Sequence, residues 1–93
     1  MPAREIEIIN KLGLHARASA KFVGVAGQFK ETTIRVGRTP EPETMIDGKS
    51  IMAMMMLAAG KGTTIHLQTQ GEQEHEAMDA LVDLINRYFD EGE

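Results

Sequence analysis

His15 is the residue of this chain whose type and setting best suit group transfer. It stands between a glycine-containing loop, Asn10 to Leu14, and a stretch suited to a helix, Ala16 to Ala26. A helix N-terminus presents unpaired backbone N–H groups and a partial positive charge, so it attracts anions. The same field disfavours imidazolium and leaves a neutral, nucleophilic ring. A neutral imidazole can attack phosphorus, and the resulting dianion would lie against the N–H groups of Ala16 and Arg17. The Arg17 guanidinium is a planar fork that suits phosphoryl oxygens. Gly13 lets the backbone turn tightly without a side chain over the ring. Phosphoryl transfer asks for little more than positioning and charge stabilisation. A histidine ahead of a helix is also an ordinary feature of turn chemistry. These residues therefore permit an anion site without requiring one.

The elements that must hold His15 follow from the pattern around it. Arg4 to Ile9 alternates and is rich in isoleucine, which predicts a half-buried strand. In the helix from Ala16 to Ala26, Ser19, Phe22, Val23 and Ala26 share one face, Arg17, Lys21, Gly24 and Gln28 share the opposite one, and Gly27 reads as its C-terminal cap. Thr32 to Val36 reads as a second strand. The two prolines between Gly37 and Glu43 predict a loop, leading to a short third strand at Thr44 to Ile46. Ser50 to Ala58 reads as a short helix with Ser50 as N-cap. A fourth strand is expected at Thr63 to Thr69, and a last helix at Glu72 to Phe89 with Met78, Leu81, Val82, Ile85, Tyr88 and Phe89 on one face. Asp90 to Glu93 reads as a frayed acidic end. The order βαββαβα predicts an α+β fold: an open-faced two-layer sandwich, a four-stranded antiparallel sheet with three helices on one face.

Composition narrows the classes. The 93 residues suit one domain, 1–93, with 42% hydrophobic and 26% charged residues, too apolar for disorder. There is no cysteine, hence no disulfide or thiol chemistry. A formal charge of −4 with only four aromatics gives no cationic footprint for nucleic acid. No run is long or apolar enough to span a membrane, and nothing resembles a signal core, so a cytoplasmic protein is expected. Gly60 to Thr64 lacks the spacing of a phosphate loop. His66 and His75 have no partner spacing for a metal site and read as solvated side chains, so neither metal nor cofactor is expected.

Gly13-Leu14-His15-Ala16-Arg17-Ala18 resembles the active-site signature of the HPr family, phosphocarriers of phosphoenolpyruvate-dependent phosphotransferase systems. Lys49 to Leu57 is similar to that family's second-helix signature, and Gly60-Lys61-Gly62 to the turn after it. In detail the chain resembles the nitrogen-related carrier NPr more than the sugar-transport carrier. The resemblance implies phosphorylation of His15 at Nδ1 with Arg17 assisting, an enzyme I type phosphoryl donor, an enzyme IIA type acceptor, a regulatory role and a monomer. It makes the chain a stoichiometric carrier rather than an enzyme. Two departures stand out. Ala18 occupies a position where many members have a proline that would preorganise the first turn. The stretch from Gly37 to Gly48 is longer than usual and lies away from the motif.

The short helix is crowded with apolar residues on nearly every side. With Met54, Leu57 and Ala58 packed on the sheet, Ile51, Met52 and Met55 would be exposed as a partner-docking patch, where methionine adapts to more than one shape. Ser50 is similar to a residue that a serine kinase phosphorylates in some family members, although capping the helix accounts for a serine there.

Overall fold

The computed structural model describes residues 2–90. Four strands form one antiparallel sheet in the order β1-β4-β2-β3: β1 (Ala3–Glu7), β2 (Thr32–Gly37), β3 (Ile46–Asp47) and β4 (Thr64–Gly71). Three helices, α1 (Ala16–Ala26), α2 (Ile51–Met56) and α3 (Glu74–Asn86), cover one face, which is the expected βαββαβα sandwich. Alternation sets the sheet's two faces. Ile34 and Val36 of β2 and Ile65 and Leu67 of β4 turn inward, and Val36 lies opposite Leu67 in the register. Phe22 of α1, Met54 of α2, and Leu81, Leu84 and Ile85 of α3 close over them.

Several boundaries differ from expectation, each for a local reason. β1 ends at Glu7, and Ile8 continues as a buried residue whose N–H donates to the Thr63 carbonyl. The third strand is not Thr44 to Ile46. Pro42–Thr44 form a 3₁₀ turn in which the Thr44 N–H and hydroxyl both donate to the Glu41 carbonyl, so pairing begins only at Ile46. α2 ends at Met56. Ala58 takes a left-handed conformation (φ 55°) and is exposed, and the buried alanine at this end is Ala59.

α3 is shorter than expected at both ends. Glu72 stays outside because the Gln73 N–H is held by the Thr32 hydroxyl. At the other end Tyr88, Phe89 and Asp90 turn left-handed, with φ of 61°, 52° and 62°. That conformation is unfavourable for L-residues. It is offset by complete burial of the Phe89 ring and by the Lys21 ammonium, which donates to the Phe89 carbonyl at 2.7 Å. Tyr88 is thereby turned outward. Asp90 is not frayed: its carboxylate accepts from Arg87 Nε at 2.9 Å. The remaining residues of the expected acidic end, 91–93, lie outside the described residues.

Candidate functional site

The loop from Asn10 to His15 is tied down at almost every step. Gly13 has φ +67°, and a Cβ there would lie 2.6 Å from the Ala59 carbonyl oxygen, so only glycine fits between these two segments. Its neighbour Leu14 buries its side chain and donates its N–H to the same Ala59 carbonyl at 2.9 Å. The loop thus rests on the segment that follows α2.

His15 is the N-cap of α1, with extended backbone (φ −72°, ψ −178°), and its Nδ1 accepts the Arg17 N–H at 3.1 Å. As the acceptor of this bond, Nδ1 directs its in-plane lone pair at the opening of the helix. The ring is half-buried, with Nε2 turned away from solvent. Nδ1 of His15 therefore lies at the positive end of α1, where the sequence places this residue, with an intervening backbone bond that the sequence does not reveal.

His15, Ala16 and Arg17 line an open depression of ≈ 840 Å³ together with Lys11, Leu12, Lys21 and Asp90. Three cationic side chains and one carboxylate surround the imidazole, a balance that favours an arriving anion. Sequence reading missed Lys11, Lys21 and Asp90. Lys21 follows Arg17 by one turn on the same helix face, which is a usable signal. The position of Asp90 depends on the left-handed turn at the end of α3 and has no sequence signal.

The second region is α2. Ile51, Met52 and Met55 are exposed as expected, Met52 at 73%. Met56, at 80%, and Leu12 of the site loop, at 70%, add to the apolar surface and were not anticipated. Ser50 caps α2, its hydroxyl accepting the Ala53 N–H at 3.2 Å. The long Gly37 to Gly48 stretch meets the second helix. Arg38 reaches across to donate to the Leu57 carbonyl at 3.1 Å, capping the C-terminal end of α2. His66 is more covered than expected, with its side chain 17% exposed and Nε2 3.9 Å from the Glu5 carboxylate, its register partner on β1. Among the described residues no three of His, Asp and Glu gather to hold a metal ion, and no helix is long and apolar enough to cross a membrane.

The sequence pattern of the family described as "PTS HPr component phosphorylation site" matches residues 2–87. The chain belongs to the HPr family. An HPr from Pseudomonas putida is 71% identical over 93 residues, covering all of both chains. An NPr from Shewanella violacea is 39% identical over 90 residues, covering 96% of this chain and 93% of that one. Among solved structures, that of HPr-C-His from Thermoanaerobacter tengcongensis is similar with a TM-score of 0.87 at 42% identity, covering 98% of each chain. HPr proteins are phosphocarriers of the phosphotransferase system, not catalysts, and as a family they interact with its enzymes I and IIA.

Proposed function

We propose that His15 is the phosphorylated residue of this carrier, that the phosphoryl group comes from an enzyme I type donor, and that it leaves to an enzyme IIA type acceptor. The observation that carries this reading is the Nδ1 lone pair held at the mouth of α1 by the Arg17 N–H. In the forward step that lone pair forms the N–P bond as the bond from phosphorus to the donor breaks. The Arg17 N–H, displaced from Nδ1, is then left facing a phosphoryl oxygen, so one hydrogen bond is exchanged for another, now to an anion. Arg17, Lys11 and Lys21 offset the added charge. The reverse exchange returns the lone pair to the capping bond, which leaves the carrier ready for another cycle. Ile51, Met52 and Met55, with Met56 of the same helix, form the surface that successive partners meet, and the carrier works as a monomer.

The nitrogen-related branch, with a regulatory role, is the finer part of the proposal and rests on likeness in sequence. The greater identity to proteins named HPr weighs toward a general carrier. Acceptor choice separates the two: the phosphorylated protein is offered nitrogen-related and sugar-specific IIA proteins in competition, and preferential transfer to the first supports the finer reading. A kinase phosphate on Ser50 would place a dianion beside Ile51 and Met52 and weaken docking. It would also cost the α2 cap, and a mass shift on Ser50 after incubation with cell extract and ATP is its test.

The main test is incubation with phosphoenolpyruvate and an enzyme I type donor. Acid-labile phosphate should appear on the wild type and vanish in His15→Ala with the fold intact. Label retained by that variant ends the assignment.

A further inference from the structure

Asn10 and Ser19 are completely buried polar side chains, and neither lines the depression around His15. A buried polar group is costly unless its hydrogen bonds are made, so what these two bind is informative. Asn10 Nδ2 donates to the Gly13 carbonyl at 2.8 Å, and that same carbonyl accepts the His15 N–H at 2.9 Å. The Ser19 hydroxyl donates to the Leu14 carbonyl at 3.1 Å. The Leu14 carbonyl and the His15 N–H are the two ends of a single peptide plane. Ser19 holds one end directly, and Asn10 holds the acceptor of the other.

We propose that Asn10 and Ser19 are positioning residues for phosphoryl transfer, fixing the Leu14–His15 peptide plane and through it the direction of the His15 Nδ1 lone pair. This rests on the reading of His15 as the phosphoryl acceptor. The peptide plane sets the φ rotation at His15, from which the ring is hung. A rotation there would swing Nδ1 off the Arg17 N–H and away from an in-line approach, while leaving the helix and sheet in place. Neither residue touches the phosphoryl group; both act through the backbone of the residue that does.

The test uses the full chain carrying Ser19→Ala, Ser19→Thr or Asn10→Asp, with two readouts. One is the steady-state rate of phosphorylation by an enzyme I type donor; the other is the ¹⁵N resonance of the His15 ring nitrogens without any partner. In Ser19→Ala the rate at saturating carrier should fall about tenfold with the KM little changed, since misplacement of a reacting atom costs rate rather than binding. The Nδ1 resonance should move as its bond to the Arg17 N–H is lost, and Ser19→Thr, which keeps the hydroxyl, should restore both readouts. Asn10→Asp removes the donor to Gly13 and should act in the same direction. If it does not fold, the serine pair decides. A lowered melting temperature with unchanged rate and unchanged Nδ1 resonance would overturn the proposal and leave both side chains a purely structural role. Should no variant and no wild type accept phosphate, the reading of His15 fails, yet the nitrogen resonances still decide whether these residues aim the ring.

Discussion

The loop that delivers His15 and the helix α2 are neighbours built on opposite plans. In the loop, Gly13, Leu14 and His15 each have backbone groups in hydrogen bonds, and two buried side chains reach in to hold them. In α2, a six-residue helix, one side chain, Met54, is fully buried, while Ile51, Met52, Met55 and Met56 are exposed. On the proposed reading the first region restricts a single nitrogen, because transfer of a phosphoryl group is intolerant of small misplacement. The second offers unbranched thioethers with several rotatable bonds, able to fit more than one partner at low cost. A carrier that must present one atom the same way to two different proteins needs both, and here they are divided between adjacent segments joined at Ala59.

The contrast can be broken most severely at Gly13. Gly13→Val places a Cβ against the Ala59 carbonyl at a positive φ, and should destabilise the fold by about 3 kcal/mol while abolishing efficient transfer. Denaturant unfolding and the phosphorylation assay check the two parts. Arg17→Ala should slow transfer by about 10- to 100-fold and change stability by less than about 0.5 kcal/mol, because the side chain is exposed and acts on developing charge. Unchanged kinetics would remove its side chain from the site. On the other plan, the double change Met52→Gln and Met55→Gln should raise the KM for the donor by about tenfold and leave the rate at saturation intact. A fall in that rate with unchanged KM would mean that α2 acts on the chemistry and not on docking.

The smallest effect lies at neither region and serves as a control. The Gly71 N–H bound to Glu74 holds its carboxyl below the usual carboxylate range. A carboxyl whose value is depressed by folding adds stability above its unfolded value, and that part is lost as pH falls through the lowered folded value. Glu74→Gln should therefore flatten the acid side of the stability curve slightly, read by thermal melts across pH, without altering transfer at neutral pH.

Much of this organisation is local and was legible in the sequence. α1 spans the predicted Ala16–Ala26, with His15 just ahead of it, because the apolar period is a property of neighbouring residues. Ser50 is the predicted cap of α2, a polar cap being local in the same way. What escaped depends on distant partners. The Asn10 and Ser19 braces, the Arg38 cap on Leu57, and the Lys21 bond to Phe89 each join residues whose pairing no short-range pattern encodes. The end of α3 shows the limit clearly: Tyr88 and Phe89 continue the helical period in sequence, yet burial of one ring reverses the hand of the backbone and carries Asp90 to the rim of the His15 depression.

On the proposed reading one particular nitrogen, Nδ1 of His15 bound by the Arg17 N–H, receives the phosphoryl group. Correlated ³¹P–¹⁵N NMR of the protein phosphorylated by its donor tests this directly. Phosphorus should couple to Nδ1 of His15, with the Arg17 amide proton shifted as its bond passes to the phosphoryl oxygens. Phosphorus coupled to Nε2, or found on His66 or His75, would contradict it.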